Sequence, residues 1–243
     1  MGQYKLKFKS FGNSAILIEW PQEIAKDILE DIRIFSDKIE SKRIKEIHEM
    51  NFVYCSLLII YKNKIISFHD LKQKLQLLYD EDRFTTQRHH ALWEIPVCYD
   101  EEYGIDLSFL SNEKKLSIDE IISLHSGTIY TIYGIGFLPG FLYLGGLEKA
   151  LSMPRRSTPR LEVPKGAIAI GGNQTGIYPQ HTPGGWHILG KTPVSLFNAR
   201  NEKPCFATPG DKIEFRPISK AEFEVIQIAE DTEVYELKKE LYD

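Results

Sequence analysis

Only three cysteines occur in the 243 residues, Cys55, Cys98 and Cys205, and no two of them form a C-x-x-C pair. That spacing argues against a disulfide framework or a cysteine-based zinc site and makes a reducing cytoplasm the natural setting. Positive charge is also short. Thirty Lys and Arg against 34 Asp and Glu leave a net charge of −4, without the basic field that nucleic-acid binding needs. Long apolar runs are missing: the longest, residues 53–61, is about half of the roughly 20 residues that span a bilayer. Lys5, Lys7 and Lys9 alternate with Tyr4, Leu6 and Phe8, the period of a half-buried strand rather than a secretory segment. Gly2 follows Met1, but Leu6 stands where a myristoylation signal has Ser or Thr. No Walker loop, no H-E-x-x-H zinc helix and no Met-Lys-Met biotinylation site is present; Met1, Met50 and Met153 lie far apart. These features predict a soluble, cytoplasmic protein that engages neither membrane, nucleic acid nor metal.

What is present divides into two textures. Residues 1–88 read as a small α+β domain. Strands are predicted at residues 4–9 and 14–19 around a Phe11-Gly12-Asn13 turn, and at 43–49 and 52–61. A helix is predicted from Pro21, a favoured first helical residue, with Ile24, Ile28, Ile32, Phe35 and Ile39 on one face. A second, over residues 70–79, carries Leu71, Leu75 and Leu78. The expectation is two helices on a small sheet. The polar stretch 80–90 reads as a linker, and its neighbours His89 and His90 point to opposite faces of any strand, so they do not share a metal.

Residues 89–243 are expected to be all-β. Residues 92–99 read as a strand whose Pro96 argues for an edge position or a bulge. Ser117-Ile118-Asp119-Glu120 fits a capping box opening a helix that Gly127 ends. Residues 127–190 hold 13 of the 17 glycines, 6 of the 12 prolines and only seven charged residues, together with seven of the aromatics. Disordered linkers are polar and poor in aromatic residues. Short strands joined by individually specified turns, as in a barrel, account for this composition. Residues 212–217 add a strand, and 220–240 form a charged tail with partial helical pattern.

Four loops carry candidate chemistry. Gly134-Ile135-Gly136-Phe137-Leu138-Pro139-Gly140-Phe141 lacks the third glycine of a dinucleotide fingerprint. It reads either as a hairpin with a type II turn at Pro139-Gly140 and both phenylalanines in the core, or as a rigid loop presenting Phe137 and Phe141 to a pocket. Pro154-Arg155-Arg156-Ser157-Thr158-Pro159-Arg160 concentrates three arginines, each a planar fork suited to carboxylate or phosphate, and both a solvated loop and an anion site are open. Gly171-Gly172-Asn173-Gln174-Thr175-Gly176-Ile177-Tyr178-Pro179 reads as an anion nest or a bulged hairpin. In His181-Thr182-Pro183-Gly184-Gly185-Trp186-His187 the turn permits close backbone approach, with Trp186 in the core or at a site.

Taken in order, Gly136-Phe137-Leu138-Pro139-Gly140-Phe141 with Tyr143-Leu144-Gly145, Pro154-Arg155, Pro159-Arg160, Val163-Pro164-Lys165-Gly166, Gln174-Thr175-Gly176-Ile177-Tyr178-Pro179, Pro183-Gly184-Gly185-Trp186 and Gly190-Lys191-Thr192-Pro193 strongly resemble the KipI/PxpB family. This is the B subunit of bacterial 5-oxoprolinase, also called allophanate hydrolase subunit 1, and it looks like one lobe of the carboxyltransferase part of urea carboxylase. The resemblance implies a cyclophilin-like β-barrel for the second half, a C-subunit partner and a separate A subunit. It implies a share in the ATP-dependent opening of 5-oxo-L-proline, a lactam, to L-glutamate. ATP would be used by the complex rather than bound by this chain alone. Lys165-Gly166-Ala167 and Gly190-Lys191 depart from relatives that carry Ser or Arg there. Two other functions follow from the same resemblance: inhibition of a sporulation sensor histidine kinase, or a carboxyltransferase lobe acting with a biotin carrier. The expected substrate-binding set is Arg155, Arg160, Gln174, Thr175, Tyr178, Phe137, Phe141 and Trp186, with no catalytic residue assigned.

Overall fold

The computed structural model describes residues 3–81 and 89–242, in two compact units, Met1–Arg88 and His89–Asp243. Most of the residues expected to form the linker, 82–88, lie outside the described set.

In the first unit, β1 (Lys7–Phe11), β2 (Ala15–Glu19), α1 (Lys26–Ser41), β3 (Ile47–Val53), β4 (Ser56–Tyr61) and α2 (Phe68–Asp80) follow in order. The antiparallel strands run β1-β2-β4-β3. The hydrophobic stripes of α1 (Ile28, Ile32, Phe35, Ile39) and α2 (Leu71, Leu75) share one core with Ile16, Ile18, Leu57 and Ile59. Asp31 ties this core down by accepting from Trp20 Nε1 at 2.7 Å and Tyr79 Oη at 2.5 Å. Expected boundaries shift at several elements: the strands expected over 4–9 and 52–61 span Lys7–Phe11 and Ser56–Tyr61. The helix predicted from Pro21 begins at Lys26, because residues 21–23 make a separate turn (Glu23 N–H to Pro21 O, 2.8 Å) and Ala25 is still extended. Ile24 is left outside it and exposed. The strand predicted from residue 43 starts at Ile47, since Arg43 adopts φ +46°, which interrupts extended pairing.

The second unit contains β5 (His90–Cys98), α3 (Leu107–Lys114), α4 (Ile118–Ser126), β6 (Tyr130–Ile135), β7 (Leu142–Gly145), β8 (Arg160–Val163), β9 (Ala167–Gly171), β10 (Gln174–Ile177), β11 (Thr182–Gly184), β12 (His187–Lys191), β13 (Lys212–Ile218), α5 (Lys220–Asp231) and β14 (Lys239–Tyr242). Strands pair in the cycle β6-β13-β5-β12-β9-β10-β7 and back to β6, a closed seven-stranded barrel. The β5–β13 ladder is parallel, so the barrel is mixed. β8 and β11 form a separate two-stranded ribbon. The unit is not purely β, contrary to the expectation, because α3 and α4 bury Leu107, Leu110 and Ile121 in the barrel core and α5 packs Phe223 and Ile226 beside Cys98. Among the described residues no helix is long and apolar enough to cross a membrane.

Pro96 does not mark an edge. β5 pairs with β13 along its length on one side. On the other it meets β14 at residues 90–93 and β12 at Cys98. Pro96 falls in the interval between those two partners, where its missing N–H breaks no ladder. The Ser117 capping box is formed as expected, with the Glu120 carboxylate and Ser117 hydroxyl reciprocating on backbone N–H groups.

One polar chain crosses the barrel core. His125, wholly buried, stacks on Phe215 at 4.7 Å. Its Nδ1 lies 2.8 Å from Tyr99 Oη and its Nε2 3.0 Å from Thr175 Oγ1. Thr175 donates its hydroxyl hydrogen to Ala169 O at 3.1 Å, because a carbonyl only accepts. Thr175 must therefore accept from His125 Nε2–H, and Nδ1 must accept from Tyr99. Burial pushes the His125 pKa down to about 3, so the folded state holds the neutral ring. The stability this contributes is complete above the unfolded-state value of about 6.5 and is lost as pH falls from there toward about 3. Between pH 6.5 and 5 this one group should remove about 2 kcal/mol. Urea unfolding at both pH values should show that loss for the natural chain and a smaller one for His125→Gln; equal losses would disprove the assignment.

Candidate functional site

β9 is buried on both faces, which explains its unbroken apolar run. Ile168 and Ile170 point into the barrel core, while Ala167 and Ala169 face a second cluster built from Phe141, Val163, Tyr178, Trp186 and Ile188. Glycines make room for its rings. A Cβ at Gly171 would stand 2.5 Å from Trp186 Cδ1, one at Gly176 2.9 Å from Trp186 Cζ3, and one at Gly184 2.6 Å from Tyr178 Oη. Phe141 is the hub, with ring centroids 4.8 Å from Tyr143, 5.3 Å from Tyr178 and Phe137, and 5.8 Å from Trp186. Most of these contacts are edge-on, the arrangement ring quadrupoles favour.

The phenylalanine loop follows the hairpin reading, except that one of its two rings lies outside the core. Pro139 and Gly140 (φ +82°) form the type II turn, closed by Phe141 N–H to Leu138 O at 2.9 Å. Phe141 is buried, but Phe137, at φ +63°, is turned outward and 63% exposed. In the Gly171–Gln174 hairpin, Gly172 takes φ +64° and its N–H donates to Met153 O at 2.6 Å. That amide is thus committed to backbone pairing rather than to an anion nest.

Arg155 lies over the Trp186 ring, 5.7 Å from its centroid, and is itself exposed. Burial raises the pKa of the Tyr143 and Tyr178 hydroxyls, and the nearby Arg155 charge partly offsets both shifts. The structure therefore brings together Arg155, Trp186, Tyr178, Phe141 and Phe137. Gln174 is half-buried at the start of β10, opposite Gly145. Thr175 is elsewhere: it is 0% exposed and its hydroxyl serves His125 inside the barrel.

Arg160 is engaged by Asp106, although its charge also reaches Tyr178. Its Nη2 donates to Asp106 Oδ1 at 2.6 Å, and Arg156 Nη1 reaches the same oxygen at 3.4 Å. Asp106 is 3% exposed; its other oxygen accepts from Ile188 N–H at 2.7 Å, and its own N–H donates to Ile188 O at 3.1 Å. It occupies the N-cap position of α3, yet its side chain makes no capping bond there, being drawn to β12 and the arginines. The binding set expected from sequence contains neither Asp106 nor Arg156, and no local pattern signals a pairing of residues 50 and 54 apart. Among the described residues no group of three or more His, Cys, Asp or Glu is placed to hold a metal ion.

Removing one member of a buried ion pair strands the other, at a cost of about 3–5 kcal/mol. Arg160→Ala leaves Asp106 with its weaker arginine and one N–H, so a loss of about 3 kcal/mol is expected in urea unfolding. Arg155→Ala, an exposed position, should change stability by less than about 1 kcal/mol. Similar losses for the two variants would contradict the division of roles.

Comparison with known proteins places the chain in a family. Residues 6–207 match the carboxyltransferase domain, subdomains C and D. The chain is 31% identical to the 5-oxoprolinase B subunit of Bacillus subtilis over 229 residues, covering 90% of this chain and 95% of that one. It is 43% identical to the 5-oxoprolinase B subunit of Haemophilus influenzae over 159 residues, 65% of this chain and 74% of that one. The structure of the K. lactis urea amidolyase matches with a TM-score of 0.86 over 98% of this chain and 16% of that chain, at 19% identity, a likeness of fold. The ordered motifs, the domain match and the extended identity establish that this chain belongs to the carboxyltransferase-domain family, in its KipI/PxpB branch of 5-oxoprolinase B subunits.

Proposed function

We propose that this chain is the B subunit of an ATP-dependent 5-oxoprolinase, working with a C subunit and a separate A subunit to open 5-oxo-L-proline to L-glutamate. The observation that carries the reading is the exposed Arg155 guanidinium held over Trp186, in a cluster from which Phe137 is turned outward while Phe141, Tyr178 and Trp186 are buried. A charged fork beside aromatic surface suits a small, flat, carboxylate-bearing ring, and it would complete a pocket shared with a partner chain. Lactam opening develops negative charge on the amide oxygen, and a cationic fork stabilises that charge best where water is excluded. This fits a site closed when the complex assembles.

Two of the glycine turns support leaving ATP to the complex. The Gly172 N–H is bonded to Met153 O and the Gly166 N–H to Tyr178 O, leaving neither free to cradle an anion. ATP is accordingly assigned to the assembled complex. The cyclophilin-like character of the barrel, and a first domain of two helices on a small sheet, belong to the same proposal.

Co-expression with the two partner chains, followed by assay of 5-oxoproline-dependent ATP hydrolysis, tests it. The complex should turn over and the isolated chain should not. Arg155→Lys keeps the charge but loses the fork, so it should lower kcat/KM of the complex by about tenfold or more while assembly is retained. Turnover by the chain alone, or an assembled complex inert toward 5-oxoproline, would refute the reading.

A further inference from the structure

Among the described residues, three side-chain nitrogens in the arginine segment and β12 are buried without a hydrogen-bond partner: Arg156 Nε, Arg160 Nη1 and His187 Nδ1. Native proteins rarely leave such groups unsatisfied, and each that persists calls for an explanation. The three belong to two segments that are joined to each other. Arg156 N–H donates to Gly185 O at 2.8 Å, His187 Nε2 meets Pro154 O at 3.0 Å, and Arg160 lies opposite Gly184 in the β8–β11 ribbon. His187 is 3% exposed, and its ring stacks on Phe109 of α3 at 5.5 Å, which sets its orientation.

The chemistry of the donors defines what they would take. One carboxylate, Asp106, faces two guanidinium groups, leaving a surplus of one positive charge. Pro154 O only accepts, so His187 Nε2 carries the hydrogen, and in that neutral tautomer Nδ1 presents a lone pair. The cluster offers cationic N–H donors beside one ring acceptor. Its complement is a small oxyanion with a hydrogen-bond donor of its own: a carboxylate next to an amide N–H, or a hydrogen phosphate.

We infer that Arg156, Arg160 and His187, positioned by Asp106, form a binding site for a small oxyanion that also carries a hydrogen-bond donor. Arg156 is the member most free to respond, because its contact with Asp106 is the longer of the two. The choice of 5-oxoproline as one probe rests on the proposed 5-oxoprolinase reading; the site itself rests on the unpartnered nitrogens.

The full-length chain, labelled with ¹⁵N, is titrated with 5-oxo-L-proline, inorganic phosphate and acetate while the Arg156 Nε–Hε and His187 ring signals are followed by NMR. Saturable shifts are expected with 5-oxoproline, with phosphate or with both, and acetate, which lacks a donor, should bind about tenfold or more weakly. A response to 5-oxoproline alone identifies an amido-carboxylate ligand; a response to phosphate alone identifies a phosphoryl group. Arg156→Gln, which keeps the shorter Arg160–Asp106 bond, should weaken binding about tenfold or more, and Arg156→Lys serves if the Gln variant loses its folded spectrum. Silent signals with all three anions, equal affinity for acetate, or unchanged affinity in the Arg156 variant overturn the inference. Silence here with 5-oxoproline turnover by the complex removes this site and leaves the functional reading intact. Saturable binding with an inert complex does the reverse.

Discussion

A single buried carboxylate organises the region around the arginine loop. Asp106 binds Ile188 through both its side chain and its backbone N–H, fixing the start of α3 to β12, and takes Arg156 from the loop before β8 and Arg160 from the start of β8. A carboxylate this deeply buried is tolerated only when charge and hydrogen bonds compensate its lost hydration. The compensation comes from two separate stretches of chain, so meeting it also fixes where those stretches lie. Arg155 is the arginine left facing outward, next to one that Asp106 has engaged.

Glycine has a matching role on the other side of β9. The glycine-rich segments look, as sequence, like loops that cradle a ligand. At Gly171, Gly176 and Gly184 the space a Cβ would fill is taken by Trp186 or Tyr178. The small side chains of Ala167 and Ala169 continue the same hollow. The backbone therefore approaches rings rather than phosphates, and the rings in turn support the outward guanidinium of Arg155. Low side-chain volume in one strand and high volume in its neighbours are two halves of one packing solution.

Sequence signals are legible where local physics dominates. The Ser117 capping box, the α2 stripe of Leu71 and Leu75, and the Pro139-Gly140 turn depend on residues within a few positions of one another, and each stands in the structure. The same signals mislead where distant partners decide. Pro96 reads as an edge residue because nothing near it in sequence shows that β14 and β12 leave an interval beside it. The α3 helix and the β14 strand leave little trace in the sequence, because the first is short and the second pairs only with β5, far away along the chain.

The sequence alone determined the family, because seven ordered motifs of glycine, proline and aromatic residues survive as a pattern whatever their individual roles. It also showed that aromatic and arginine residues are concentrated in the stretch from residue 127 to 190, where little else carries charge. Tertiary structure decided which of three neighbouring arginines faces outward, that Thr175 serves His125 rather than the surface, and that Asp106 and His187 join the arginine cluster. The reason is physical. Adjacent residues in an irregular loop have no fixed periodicity to set their directions, so their orientation follows from the partners that compensate buried charge, and those partners are brought near only by closure of the barrel.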